Sequence, residues 1–361
     1  MTHHARLGDI YTMLNKKANR DFDRLMFYVE RINELNGASA CALFVIQKDR
    51  IVAEYYSGAH SFEKSARHIQ ADSQFNVASV RKSYLGLATA WALHLGKIAS
   101  LDDPILNYLQ VSDGEKAACT GITIRNLLTH THGLYEQDGQ LARSFAPGTD
   151  WHYNNAGIGL LQSLVSSALQ YPYFHLLREQ IFEPLGWKET GYRSIASDQL
   201  VPVIRDKQAH VRIRPTTDGS QGNLFVSARE LAYWGYLHLK SGSINGKQIV
   251  PESVIRTAVS VQAPLQLPAG LPRNGCLWFV KDGESSQCPI GSEIPRHSYE
   301  IVGLYGPLLL VVPELELVVV RMSNQEKGNY AENERGYNDY LQEFGNLAAA
   351  CARQAEQPDR R

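Results

Sequence analysis

No stretch of this 361-residue chain is long and apolar enough to cross a bilayer, and no block of like charge stands out. The 36 basic and 37 acidic residues nearly cancel, which argues against nucleic acid, an anionic membrane surface or a strongly charged substrate as partner. Cysteine is scarce: Cys41, Cys119, Cys276, Cys288 and Cys351 are scattered, odd in number and without a CxxC pair. Reduced thiols are therefore expected, and neither a disulfide framework nor a zinc site. The opening residues, MTHHARLGDIYTMLNKK, lack the basic region, apolar stretch and small-residue cleavage site of a secretory signal. A cytoplasmic protein is the expectation. Internal repeats, coiled-coil heptads and low-complexity tracts are also missing. What is present is an ordinary globular composition, 44% hydrophobic, sufficient at this length for one large domain or two intimate ones.

Periodicity organises the two ends of the chain. Leu25, Met26, Val29, Ile32 and Leu35 recur at helical spacing, and after Gly37 the runs ACALFVIQ and IVAEYYSG flank Lys48-Asp49-Arg50, which predicts a helix followed by a hairpin. Near the other end PLLLVV and LELVVVRMSN flank Pro313-Glu314, and Tyr337, Tyr340, Leu341, Phe344 and Leu347 then repeat at helical spacing. A second hairpin and a closing helix follow from that pattern, with the tail after Cys351 read as frayed. Residues from about 76 to 240 carry mainly helical signals, including ITIRNLLTH, NNAGIGLLQSLVSSAL and SARELAYWGYLHLK. The expected class is α/β (α+β): an antiparallel sheet from residues 1–75 and 241–361, covered by the first and last helices, with a mainly helical domain over 76–240 and the active site between them.

The chemistry concentrates at Ser79-Val80-Arg81-Lys82. Tyr84 to Leu95 is helix-compatible and mostly apolar, so Ser79 opens a buried helix with the Lys82 amine one turn on, on the same face. A helix N-terminus favours developing negative charge. The same spacing occurs in Ser61-Phe62-Glu63-Lys64, but within the polar stretch GAHSFEKSARH and with no apolar helix behind it, where a solvated loop is the better reading. Tyr153-Asn154-Asn155 places a phenol and a carboxamide two residues apart on a loop, able to face one cleft as proton shuttle and substrate-binding amide. His130-Thr131-His132 invites a metal reading, yet two histidines without an HExxH or a carboxylate ligand pattern fit a hydrogen-bonded turn better. Neither a metal nor any other cofactor is expected. Trp151, His152, Trp187, Trp278 and Phe279 are candidates for an acyl pocket or for plain core.

Ser-x-x-Lys, then Tyr-x-Asn some 70 residues later, then a Gly-containing strand near the C-terminus resembles the serine β-lactamase and penicillin-binding-protein superfamily. The stretches GITIRNLLTHTHGL, FAPGTDWHYNNAGIGLL, IFEPLGWKETG, GNLFVSARELAYW and GPLLLVVPELELVVVRMSN are similar to its class C β-lactamase and family VIII esterase branch, which includes enzymes like nylon-oligomer hydrolase. The resemblance covers about residues 39 to 324 and implies a β-lactamase/transpeptidase-like fold. It implies Ser79 as nucleophile, Lys82 and Tyr153 as the coupled base, backbone N–H groups of Ser79 and Leu304 as oxyanion hole, and Asn155 and Gly303 against the substrate, with Asn155 a partner for Lys82. Relatives carry Ser where His132 stands, and use a turn at the place of Gly133 to end a helix.

The third motif of that branch, commonly Lys-Thr-Gly or His-x-Gly, falls here on Ile301-Val302-Gly303, without its basic residue. His297 is close enough in sequence to replace it only if the register shifts. Binding a carboxylate needs a fixed cation, whereas cleaving a neutral ester or amide needs the nucleophile, its base and an oxyanion hole. The expected activity is hydrolysis of a small-molecule ester or linear amide through a Ser79 acyl-enzyme. A biosynthetic acyltransferase or cyclase would use the same residues; a β-lactamase, a D-Ala-D-Ala peptidase and a non-catalytic relic rank lower. Oligomeric state is left open.

Overall fold

Side chains along Leu317–Ser323 alternate between two cores. Val318, Val320 and Met322 turn to one, and Leu317 and Val319 to the other, the period-two pattern of a strand covered on both faces. The computed structural model describes residues 13–326 and 336–356, and in it this strand sits inside an eight-stranded sheet. Its strands are β1 (Asn15–Lys16), β2 (Ala40–Gln47), β3 (Arg50–Gly58), β4 (Arg273–Asn274), β5 (Phe279–Val280), β6 (Tyr299–Val302), β7 (Leu308–Val312) and β8 (Leu317–Ser323). The spatial order is β1-β3-β2-β8-β7-β6-β5-β4, antiparallel throughout except that the short β1 runs parallel to β3. Both hairpins read from the sequence are present, and they meet where β2 pairs with β8, so the two ends of the chain share one sheet.

Helix α1 (Asp23–Asn36) stops at Gly37, whose left-handed backbone, φ 68°, lets its N–H return to the Asn33 and Glu34 carbonyls. It packs with the closing helix α6 (Tyr337–Ala355) over one face of the sheet, burying Leu25, Val29, Leu341 and Phe344. The tail expected to fray after Cys351 remains helical to Ala355, with Ala352 fully buried beneath it; residues 357–361 lie outside the described residues.

The other face carries helix α4 (Ala228–Leu239), which lies on β2, β7 and β8. Beyond it stands α2 (Arg81–His94), buried from Lys82 to Ala92 and surrounded by α3 (Ala156–Leu169), α5 (Glu252–Val259) and the helix Tyr173–Leu177. The packing crosses the domain limits drawn from sequence: α4 precedes residue 240 yet lies on the sheet, and α5 follows it yet packs on α2. Amphipathic faces are specified locally, but the partner of each face is chosen by the whole chain. A smaller sheet, with Gln74–Asn76 between Leu224–Ser227 and Leu200–Val201, delivers the chain to the start of α2. The mixed architecture matches the β-lactamase/transpeptidase-like fold expected from the motifs.

Candidate active site

The strand Gln74–Asn76 leads into a tight turn. Ala78 takes a left-handed backbone, φ 45°, and its N–H is held by the Asn76 side-chain carbonyl at 3.0 Å. A residue with a Cβ seldom adopts that conformation, and the turn it makes sets Ser79 in a single 3₁₀ turn, Ala78–Val80, at the mouth of α2. One turn on, Lys82 is 1% exposed, its Nζ 3.4 Å from Ser79 Oγ and joined to the Tyr153 hydroxyl by a short hydrogen bond. The Nζ also lies 4.0 Å from the centre of the Tyr153 ring. The three side chains expected from sequence to work together are thus in mutual contact.

Burial, and secondarily the Arg81 charge, holds the Lys82 amine well below the usual lysine range. Burial raises the Tyr153 phenol, opposed by its hydrogen bond with Ser79 and by Arg81. Both shifts favour an uncharged pair, an amine with a free lone pair beside a phenol. Such a pair can take a proton from Ser79 Oγ and pass it on without leaving an isolated charge in the interior.

Gly303 follows β6, and a Cβ there would stand 2.4 Å from the Val77 carbonyl oxygen. Only glycine lets this strand end approach the turn before Ser79. The turn after it is closed by Gly303 N–H to the Pro307 carbonyl and Gly306 N–H to the Gly303 carbonyl. Among the described residues the Ser79 and Leu304 amides enter neither the sheet ladder nor a turn hydrogen bond.

Ser79, Tyr153, Asn155, Gly303 and Leu304 all line one cleft of about 400 Å³. Trp151, Phe279, Val302 and Tyr337 supply its apolar walls, and Gln287 and Asn338 add carboxamides. Among the described residues no charged side chain lines it. Leu304 is 62% exposed at its rim. Among the described residues Asn155 makes no hydrogen bond to Lys82: it is exposed at the start of α3, and Lys82 is bonded to Ser79 and Tyr153.

The third motif resolves by strand alternation. Ile301, 3% exposed, turns into the core shared with α2, while Val302 turns into the cleft. His297 does not enter the cleft; it lines a separate cavity with His238 and Arg256. Arg81 is engaged with the buried Tyr192, whose hydroxyl pairs with that of Tyr173 at 2.7 Å. Ser61 sits in an irregular segment, its hydroxyl accepting the Glu63 N–H at 3.3 Å.

His130 and His132 are both buried. His132 Nδ1 accepts the Leu134 N–H at 2.9 Å in a turn through Gly133, φ 70°. Burial lowers the His132 pKa to about 4. No group of three or more His, Cys, Asp or Glu among the described residues is arranged to hold a metal. Trp187 and Trp278 are buried core, and His152 is exposed outside the cleft. Sequence reasoning missed Gln287, Tyr337 and Asn338 as cleft residues. Tyr337 carries a helical-core signal, and nothing local marks the other two, because the loop before Ile290 meets α6 only in the folded chain, where Asn338 Nδ2 donates to the Ser286 carbonyl.

A family described as beta-lactamase matches residues 28–343. An uncharacterized protein of Alkalihalophilus pseudofirmus is 41% identical over 333 residues, covering 91% of this chain and 98% of that one. Among solved structures, a class C beta-lactamase superposes with TM-score 0.72 at 13% identity, covering 94% of this chain and 98% of the other. EstCE1, a hydrolase with promiscuous acyltransferase activity, superposes with TM-score 0.66 at 17% identity, covering 91% and 100%. The two structures share the fold; the match along the sequence, running from α1 to α6, goes further, and by it the chain belongs to the beta-lactamase family of serine hydrolases.

Proposed function

We propose that the protein hydrolyses a neutral ester or linear amide through an acyl-enzyme on Ser79. The observation that carries this reading is the contact of Ser79, Lys82 and Tyr153 at the edge of a cleft whose described walls bear no charge. In the first step the Lys82–Tyr153 pair takes the Ser79 proton while Oγ bonds to the acyl carbon, and the oxyanion that forms is received by the Ser79 and Leu304 amides. Tyr153 returns the proton to the leaving alcohol or amine as its bond to the acyl carbon breaks. Water then attacks the acyl-enzyme, giving up a proton to the same pair, which returns it to Ser79 Oγ as the acyl–Oγ bond breaks and the acid leaves.

A carboxylate drawn into such a cleft would be desolvated without a partner, at a cost of several kcal/mol, or about a thousandfold in rate. Neutral aryl esters should therefore react far faster than a chromogenic cephalosporin. A fluorophosphonate probe followed by peptide mass spectrometry should place the adduct on Ser79, and Ser79→Ala, but not Ser61→Ala, should abolish it. Labelling at Ser61, or efficient cephalosporin turnover, would overturn the reading. Transfer to an added alcohol or amine is the second reading, supported by the likeness to EstCE1, a hydrolase with promiscuous acyltransferase activity. Product analysis with and without the added nucleophile separates the two.

A further inference from the structure

His130 belongs to a buried histidine segment that the chemistry above leaves unused, and its placement is unfavourable twice over. Its backbone is left-handed, φ 56°, where a side chain with a Cβ is strained. Its imidazole is 1% exposed, and neither ring nitrogen has a hydrogen bond of normal geometry among the described residues, although the Asn154 backbone lies near enough to favour protonation. Burial outweighs that neighbour, holds the ring well below the usual imidazole range and keeps it neutral. A strained backbone and an unsatisfied buried ring on one residue call for something gained by the contact it makes.

That contact is with Tyr153. The two ring centres are 4.6 Å apart at an interplanar angle of 38°. Phe279, which lines the cleft, lies 6.5 Å from Tyr153 and nearly parallel to it, at 12°, whereas His130 does not reach the cleft. Trp151 meets His130 edge-on at 6.4 Å, and the His152 N–H donates to the His130 carbonyl at 3.0 Å, so the His130 turn and the segment entering Tyr153 are fixed to each other. A phenol hydroxyl lies far from the Cα, so a small swing of the ring carries it away from both Ser79 and Lys82. Misplacement of a reacting group by about 1 Å costs on the order of a hundredfold in rate.

We infer that His130 is a positioning residue for the Tyr153 phenol, acting through ring contact and not through its nitrogens. The inference rests on the hydrolase reading above. Its test measures the fluorophosphonate labelling rate of Ser79, and kcat and KM for a neutral aryl ester, in the full chain carrying His130→Phe, His130→Asn or His130→Leu. Phe keeps a ring without nitrogens; Asn tolerates the left-handed backbone but has no ring; Leu is a second ringless variant should Asn fail to fold. The Phe variant should retain labelling within about threefold, while the ringless variants lose ~30- to 100-fold in kcat with KM changed less than about threefold. A folded Phe variant as slow as the ringless ones would assign the role to the nitrogens and overturn the inference, and so would a ringless variant with wild-type kcat. Failure of wild-type protein to label at Ser79 would instead overturn the hydrolase reading, and this inference with it.

Discussion

At the residue scale, the defining feature is that two groups in contact with Ser79, an amine and a phenol, are both shifted toward their neutral forms. The Lys82 amine is lowered by burial and Arg81, and the Tyr153 phenol is raised by burial. In the proposed mechanism the proton passes between them, so neither is useful alone. Lys82→Ala and Tyr153→Phe should each lower kcat by about three orders of magnitude or more, with the double variant little worse than either single. Kinetics on the three variants check this, and additive losses would show two independent contributions. Ile301 offers a contrast: a lysine placed there would face the core beside α2, not substrate, so the absence of the third-motif cation cannot be repaired simply at the cleft surface.

At the element scale, the position of α2 decides the geometry, since it carries both Ser79's turn and Lys82. Gly86 lies against the loop after β4, where a Cβ would stand 2.0 Å from the Cys276 carbonyl oxygen. Leu277 in that loop is itself left-handed, φ 68°, with its N–H donated to the Leu128 carbonyl. Helix propensity alone would make Gly86→Ala stabilising by about 1 kcal/mol. The clash is with backbone, which cannot rotate away, so the opposite sign is expected: a loss of about 1–3 kcal/mol in urea unfolding. A measured gain would show that the loop yields freely. Helix α2 was legible because its apolar run is continuous; the need for glycine at 86 was not, because the loop it meets lies some 190 residues further on.

At the scale of the whole molecule, buried titratable groups set opposing responses to pH. Burial lowers His132 and His238 to about 4 from a reference of 6.5. Folded pKa values below unfolded ones mean that this stability is present above about pH 6.5 and is lost as pH falls toward 4. Glu300 is fully buried on β6, and burial, partly offset by Arg321, raises it to about 8 from 4.5. A raised carboxyl gives the other sign: its contribution is full below about pH 4.5 and is lost as pH rises through 8. Glu300→Gln, neutral at every pH, should remove that second loss, so that its Tm gains on the wild type as pH rises from 5 to 8.5. A Tm difference constant across that range would show that Glu300 does not titrate there.

Local pattern determined much of this protein. The near-continuous apolar runs ACALFVIQ and LELVVVRMSN specified buried strands, the short turns at Lys48–Asp49 and Pro313–Glu314 specified hairpins, and the spacing of Ser79 and Lys82 specified one helical face, because each depends on neighbours within a few residues. Tyr153 was legible through its motif, and its meeting with Lys82 is a contact across 71 residues. The rest was decided only by the folded chain. Which of Ile301 and Val302 faces the cleft follows from how β6 pairs with β7, which helix covers which sheet face follows from the competition among all amphipathic faces, and Gln287 and Asn338 reach the cleft because the loop before Ile290 is tied to α6. His130 carries no signal of its own as a neighbour of Tyr153, since a ring contact between two loops is written in neither loop, but in the packing that brings them to 4.6 Å.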